Sequence, residues 1–130
     1  SLHPTRDFNF IEDTVAGYLA MADAMASKKS ASVIGEVINV GSGFEVSIGD
    51  TAKMIAEIMG RKLKIETDGA RMRPDQSEVE RLCADVTRAE QILGWRAEVP
   101  LEQGLRQLVQ WMKGNMDVHL KHYKIAEYAI

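Results

Sequence analysis

The spacing of apolar and polar residues changes period along this chain, and each period predicts a different kind of element. Apolar and polar residues alternate over residues 5–11 and 62–66, which predicts two short strands. The apolar segment 36–40, which ends at a pair of glycines, predicts another strand, and residues 81–84 predict a brief extended piece. Because strands and helices alternate through the first half, the pattern predicts an α/β fold with helices packed on a small sheet.

Other segments repeat their apolar residues at helical spacing. The predicted helices cover residues 13–26, 48–59 and 100–113, and a short third helix, capped by Asp85 or Thr87, runs to Leu93 and is ended by Gly94. Asp13 is predicted to cap the first helix, and Ser47 to cap the second, which Gly60 ends. The apolar stripe of the first helix consists of Val15, Tyr18, Leu19, Ala22 and Met25. The last third of the chain is therefore predicted to be mainly helical.

Length and composition narrow the class of protein. A chain of 130 residues can bury one core, so we expect a single domain. The net charge of −3 disfavours broad contact with nucleic acid or a membrane surface, and no apolar run approaches spanning length. A single cysteine, Cys83, excludes an internal disulfide and predicts a reducing, cytoplasmic location. The start at Ser1 shows no signal peptide and lacks Met, so we expect a piece of something longer.

The strongest chemical signal is a cluster of charges around Pro74. Residues 71–85 contain three arginines and four carboxylates in an otherwise mildly acidic protein. Guanidinium groups supply paired planar donors that suit phosphate oxygens, and carboxylates can accept from sugar hydroxyls. Arg73, directly before the proline, is the best single candidate for binding a diphosphate. The alternative is a solvated loop whose surface ion pairs contribute little.

Three other motifs contain residues with possible chemical roles. Arg6 beside Asp7 indicates either an anion clamp or an ion pair that fixes the terminus. The glycines of residues 41–43 favour a tight strand-to-helix turn over a dinucleotide loop, because the third glycine of that fingerprint is missing. His119 and His122 share a helical spacing but lack further ligands, so no metal site is predicted. No serine or cysteine has an evident histidine partner, so no catalytic nucleophile is predicted either.

Taken in order, four segments resemble the C-terminal part of the extended short-chain dehydrogenase/reductase family, the NAD-dependent nucleotide-sugar epimerases and 4,6-dehydratases. They are residues 5–13, residues 35–43 with Ser47, residues 73–85, and residues 93–95 with 101–105. The resemblance covers almost the whole chain. It implies one substrate-binding domain over residues 1–130, without the N-terminal Rossmann half. Residues 77–82 and the Tyr123-Lys ending most resemble dehydratase-type members that act on UDP-linked amino sugars.

The resemblance also implies roles for individual charged residues. Arg6 and Arg73 match arginines that contact the diphosphate of the sugar nucleotide. Either Asp75 or Glu78 matches the position that binds ribose hydroxyls, and the remaining arginines are implied to support the pocket. The implied substrate-binding residues are Arg6, Arg71, Arg73, Asp75, Glu78 and Arg81.

Two parts of the family pattern are absent from the sequence. No glycine-rich NAD loop opens the chain, and no tyrosine belongs to a Tyr-x-x-x-Lys pair, since Tyr18 is followed by Ala22 and Tyr123 by Glu127. The resemblance therefore implies no catalytic and no cofactor-binding residue here, although NAD serves the full-length family. We expect a truncated chain that binds a nucleotide sugar weakly and is inactive alone.

The alternative function is a non-catalytic interaction or structural module derived from such an enzyme. In the family, residues 36–40 are implied to pair with a neighbouring strand that this chain does not encode. An exposed strand edge invites pairing with another copy. The sequence therefore predicts a homodimer or a strand exchange through this edge.

Overall fold

The computed structural model describes residues 2–27, 30–66, 79–118 and 121, where a three-stranded mixed sheet packs with helices. The strands are β1 (Thr5–Asp7), β2 (Glu45–Ser47) and β3 (Arg81–Leu82). The helices are α1 (Ile11–Ala26), α2 (Ile48–Met59) and α3 (Leu101–Gly114). A 3₁₀ turn at Ser30–Ser32 follows α1, and a π-helical segment at Ala89–Leu93 precedes α3. The predicted α/β class with a small sheet is confirmed.

β1 lies at the centre of the sheet and joins two distant parts of the chain. It runs antiparallel to β2, with Thr5 opposite Ser47 and Asp7 opposite Glu45. It runs parallel to β3, with Thr5 opposite Arg81. Directly opposed residues share a face of a sheet, so all five of these polar side chains belong to one face. β1 is shorter than the predicted strand because Phe10 already accepts the first helical hydrogen bond, from the Thr14 amide.

The prediction that Asp13 caps the first helix is wrong, because the helix begins two residues earlier, at Ile11. The Asp13 side chain is buried instead, with 6% of its surface exposed. Its two oxygens accept hydrogen bonds from the backbone amides of Glu98 (3.1 Å) and Val99 (3.0 Å). The carboxylate thereby fixes the segment before α3 to the first turn of α1, an arrangement that capping rules alone do not indicate.

The apolar stripe predicted for the first helix faces outward. Val15, Leu19 and Met25 are exposed, and 72% of the surface of Tyr18 is accessible. The buried side of α1 carries small residues instead, namely Gly17 and Ala24. A Cβ added at Gly17 would lie 2.9 Å from the Val40 side chain and 3.4 Å from Trp95, so small residues let this side pack closely.

Residues 36–40 were predicted as a strand, and this prediction is wrong for the structure. In the described part of the chain, no backbone–backbone hydrogen bond joins residues 37–40 to another segment. The segment is tethered by side chains, because Asn39 Nδ2 donates to the Asp85 carbonyl (3.2 Å) and Arg88 forms an ion pair with Glu36. A strand requires a neighbour, and the described residues supply none here.

The strand predicted over residues 62–66 is also absent. Every residue of 61–66 is exposed, so its alternating pattern has no apolar surface to cover. The structure instead forms β2, a three-residue strand directly before α2 that the sequence pattern did not indicate.

The predictions for the second helix and for the end of the third predicted helix are confirmed. Ser47 Oγ accepts from the Asp50 amide (2.9 Å), and Gly60 ends α2 in the left-handed conformation. Gly94 ends the π-helical segment in the same way, with φ 66°. Trp95, which follows it, is buried against α1 and is one of the few large apolar side chains in the core.

Candidate functional site

Asp7, the last residue of β1, binds two other segments through its carboxylate. Oδ1 accepts from the Ser42 amide (2.9 Å) and the Ser42 hydroxyl (2.5 Å). Oδ2 accepts from the Gly43 amide (3.0 Å) and the Ala84 amide (3.2 Å). Asp7 therefore pairs with the glycine turn and with the segment after β3, and no hydrogen bond or ion pair of its carboxylate with Arg6 is found. The ion pair considered from the sequence is not formed.

These bonds decide the role of the glycine turn. Amides that bind a phosphate must point into an open site with no other acceptor. The Ser42 and Gly43 amides already donate to Asp7. The Asp7 carboxylate and the amides that it binds therefore form an intramolecular joint rather than a phosphate cradle. The turn leads from the segment 36–40 into β2, so the strand-to-helix turn favoured from the sequence is not what the structure has.

Hydrogen bonding also sets the charge state of Asp7. Burial raises the pKa of this carboxyl, whereas the bonds from Ser42, Ala84 and Gly43 lower it by more, so the pKa lies below its ordinary value of 3.8. The ionised form is the one that accepts all four bonds. The joint is consequently charged, and it is held together, over the neutral pH range.

Arg6 lies on β1 beside this joint, and its guanidinium contacts Val79, the first residue described after the range 67–78. Nη1 donates to the carbonyls of Thr5 and Val79, each at 2.7 Å. The Thr5 amide donates in turn to the Glu80 carbonyl (2.9 Å). Arg6 is thus fixed next to Val79 and Glu80, which belong to the charged segment 71–85 singled out from the sequence.

Most of the other predicted substrate-binding residues lie outside the described residues. They are Arg71, Arg73, Asp75 and Glu78. Their proximity to Arg6 stays a prediction. Arg81 is described, and it lies on β3 with Nε donating to Glu45 Oε1 (2.6 Å), although 74% of its side chain is exposed. Because Glu45 also accepts from the Thr5 hydroxyl (2.8 Å), Arg81 belongs to a polar network across all three strands.

A cleft of about 570 Å³ opens between α1, residues 38–41 and residues 82–85. Asn9 lies at its edge, with Nδ2 donating to Thr14 Oγ1 (2.8 Å) and with Oδ1 buried and unpaired among the described residues. An unpaired buried acceptor of this kind is ordinarily satisfied by an ordered water or by a donor from another group. Sequence reasoning missed Asn9, and nothing in the local pattern distinguishes it from other polar residues after a strand.

Metal and membrane sites find no support in the described residues. Across residues 2–27, 30–66, 79–118 and 121, no three His, Cys, Asp or Glu side chains come together as metal ligands. His119 and His122 lie outside these ranges. The helices that the structure describes include none with the length and apolar character needed to cross a bilayer.

Comparison with known proteins identifies the class to which this fold belongs. A family model described as GDP-mannose 4,6-dehydratase matches residues 1–108. GDP-L-fucose synthase of Escherichia coli is 32% identical over 117 residues, which are 88% of this chain and 35% of that protein. An epimerase from Methanothermobacter thermautotrophicus superposes with a TM-score of 0.78 at 29% identity, over 93% of this chain and 33% of the other.

A liganded structure matches to a similar extent. UDP-glucuronic acid 4-epimerase from Bacillus cereus, solved with UDP-glucuronic acid and NAD, gives a TM-score of 0.73 at 30% identity. The match covers 88% of this chain and 33% of the epimerase. The fold is thus that of the NAD-dependent epimerases and dehydratases of the extended short-chain dehydrogenase/reductase type. Within this class the chain belongs to the GDP-mannose 4,6-dehydratase family, and it spans about a third of the length of these relatives.

Within the described ranges, the residues do not fit NAD, the cofactor that the family implies. The amides of Ser42 and Gly43 are bonded to Asp7 and are not free to hold a pyrophosphate. Tyr18 lines the cleft, but the residue four positions later is Ala22 rather than a lysine. The described residues therefore offer neither the phosphate contacts nor the proton-transfer pair that such a cofactor site uses.

Proposed function

We propose that this chain is the nucleotide-sugar-binding portion of an NAD-dependent epimerase or dehydratase, and that it has no turnover by itself. The ligand class is a UDP-sugar, bound through its diphosphate by Arg6 and Arg73. Ribose hydroxyls are accepted by Asp75 or Glu78, and Arg71 and Arg81 support the pocket. The chain lacks the Tyr-x-x-x-Lys pair, so bound ligand is not converted.

The position of Arg6 carries this proposal. Its guanidinium is fixed by the Thr5 and Val79 carbonyls, and Val79 follows Arg73 by six positions in the sequence. Two planar donors on either side of a pyrophosphate would satisfy its oxygens in the paired geometry that arginine favours. The UDP-glucuronic acid complex of the Bacillus cereus relative supports the ligand class.

Binding is expected to be weak, because the chain supplies one side of the pocket. We expect a dissociation constant of about 1 mM or higher for UDP-glucuronic acid, equivalent to about 4 kcal/mol of binding free energy. Saturation-transfer NMR with UDP-glucuronic acid, UDP and uridine measures affinities in this range. Titration calorimetry that gave micromolar affinity would contradict a one-sided pocket.

A pair of arginine variants separates specific binding from general charge attraction. Arg73→Ala is expected to weaken UDP binding about tenfold, because a charge-assisted bond to phosphate is lost. Arg61→Ala removes the same charge from an exposed position after α2, and it should leave binding unchanged. Equal effects of the two substitutions would show that the anion is attracted only by net charge.

A second candidate is a non-catalytic oligomeric module, and the unpaired segment 37–40 favours it. A segment whose backbone has no strand partner can pair with the same segment of a second copy, as an open edge strand does. We expect the isolated chain to form homodimers through this edge, with the same patch contributed by both protomers. Light scattering from micromolar to millimolar protein tests this, and a monomer at every concentration would count against it. If this is the only function, Arg73→Ala changes neither assembly nor any ligand response.

A further inference from the structure

A groove of about 490 Å³ lies between α2 and α3, where it is lined from residues 55–61 and 105–116, and we call it the α2–α3 groove. Seven apolar and two cationic side chains line it, and none of them lines the cleft beside Asn9. The groove is open to solvent, because Met59 and Leu108 are each 46% exposed and Met116 is 48% exposed. Apolar side chains gathered around an open groove mark a surface of contact rather than ordinary solvent exposure.

The shape of the α2–α3 groove suits a third helix. Leu105, Leu108, Val109 and Met112 line it at the spacing i, i+3, i+4 and i+7, so they form one continuous stripe of α3. At a rise of 1.5 Å per residue, this stripe is about 11 Å long, or two helical turns. Three of the seven apolar side chains in the groove are methionines, whose flexible thioethers adapt to the side chains of a partner. Amphipathic helices are commonly bound in apolar grooves of this kind.

The charges at the edge of the α2–α3 groove indicate the sign of its partner. Arg61, which follows α2, and Lys113, in the last turn of α3, both line the groove. None of the described residues that line it is acidic. Among the described residues, Arg61 and Lys113 have no ion pair, whereas Lys53, Arg88 and Arg106 each have one. Electrostatic complementarity therefore requires a partner that brings its own carboxylates.

We propose that the α2–α3 groove binds an amphipathic helix of another protein. The apolar stripe of that helix lies along Leu105, Leu108 and Met112, and carboxylates beside its stripe pair with Arg61 and Lys113. The contact has an apolar centre and a charged rim, which is the usual arrangement of a specific protein interface. The proposal does not depend on nucleotide-sugar binding, because the groove contains none of the residues assigned to that site.

Charge disfavours two other occupants of the groove. A second copy docked groove to groove would place four cations in one interface, with no acidic lining residue of the described chain to offset them. The sequence 119–130 of this chain contains Lys121 and Lys124 but only one carboxylate side chain, Glu127, so its charge also has the wrong sign.

The test titrates the full chain with two synthetic helical peptides, each about 16 residues long. Both carry leucines at i, i+3, i+4 and i+7, and they differ only in having glutamate or lysine beside this stripe. We expect the acidic peptide to bind about tenfold more tightly at low salt, and this ratio to approach one at about 1 M salt. Methyl NMR should show shifts at Met59, Met112 and Met116 but not at Met21 and Met25 of α1. Equal affinities at low salt would overturn the proposal, and so would shifts confined to α1.

Two matched pairs of variants locate the contact. Leu108→Asp should weaken binding of the acidic peptide about tenfold or more, whereas Leu19→Asp makes the same change at an exposed position of α1 and should have no effect. Arg61→Glu should weaken the acidic peptide about fivefold and strengthen the basic one, whereas Arg96→Glu, at another exposed arginine, should change neither. Thermal melts verify that each variant is folded. Equal effects within either pair would overturn the proposal.

The two other occupants give results of their own. If a peptide with the sequence 119–130 bound as tightly as the acidic peptide, the groove would belong to this chain's own residues. If peptide affinity fell as the protein concentration rose, a second copy would be covering the groove. Either result would overturn the proposal. The affinity for UDP-glucuronic acid is measured in the same samples, so this proposal and nucleotide-sugar binding can each fail alone.

Discussion

Replacing Asp7 with alanine is expected to lower the free energy of unfolding by about 3 kcal/mol. The substitution removes an ionised acceptor and leaves the amides of Ser42, Gly43 and Ala84 without a partner. Two of these amides belong to the glycine turn and one to the segment after β3. Loss of the Asp7 carboxylate therefore separates the central strand from both segments that border the cleft. Urea unfolding followed by circular dichroism measures the change.

Two further variants show whether the charge or the shape of Asp7 matters. Asp7→Asn keeps the shape and one acceptor oxygen, and it should lose about half as much stability as alanine does. Asp23→Ala removes a carboxylate from an exposed position of α1 and should change stability by less than about 0.5 kcal/mol. An alanine variant at Asp7 as stable as the Asp23 variant would contradict the role given to the joint.

The same carboxylate predicts a dependence of stability on pH. The pKa of Asp7 lies below its ordinary value of 3.8, so the ionised form is favoured by folding. Its contribution is fully present above the unfolded pKa and is lost as the pH falls through the folded pKa. Asp50 and Asp85 have pKa values lowered in the same direction by their hydrogen bonds. The difference between wild type and Asp7→Asn isolates the Asp7 contribution, and it should shrink below about pH 4.

Local signals in the sequence predicted the parts of the fold that local interactions determine. The cap at Ser47 and the left-handed glycines at 60 and 94 depend on bonds within a few residues of each position. Those elements were found where the pattern indicated them. β2 was missed because it has three residues, fewer than a period of two needs to be recognised.

The failures concern interactions between distant residues. The pattern of α1 correctly identified an apolar stripe, but periodicity does not tell which surface covers it, and Gly17 and Ala24 proved to face the core. Residues 36–40 have the composition of a buried strand, yet pairing needs a neighbour that composition does not reveal. Asp13 and Asp7 bond to residues 85 and 35 positions away in sequence, beyond the reach of any local rule.

The candidate site also contains residues that the sequence identified and contacts between distant residues that it did not. Arg6 and the glycine turn were identified from residue type, and the structure shows that Asp7 connects the strand carrying Arg6 to that turn. The bond between the Arg6 guanidinium and the Val79 carbonyl was not predictable, because it spans 73 residues of sequence. Convergence of Arg6 with Arg73 remains the prediction that ligand binding tests.

Replacing Gly41 with alanine is expected to destabilise the fold by about 3 kcal/mol, because the new methyl group has no space. An added Cβ would lie 2.5 Å from the Ala84 Cβ and 2.8 Å from Asp7 Oδ2. The Ala84 Cβ is attached directly to the backbone and cannot rotate away. The strand β1, the glycine turn and the segment after β3 must therefore move apart, which also lengthens the bonds to Asp7.

A second-site substitution tests whether this contact is the cause. Ala84→Gly removes the closer of the two clashing atoms, so the double variant should recover about 1 kcal/mol or more relative to the sum of the single changes. The clash with Asp7 Oδ2 remains, which limits the rescue. Gly114→Ala, at the end of α3 with no heavy atom within 4 Å of the added Cβ, should leave stability unchanged or slightly raised. Additive effects of the Gly41 and Ala84 substitutions would show that the destabilisation arises elsewhere, and that the close approach of these segments does not hold the cleft in shape.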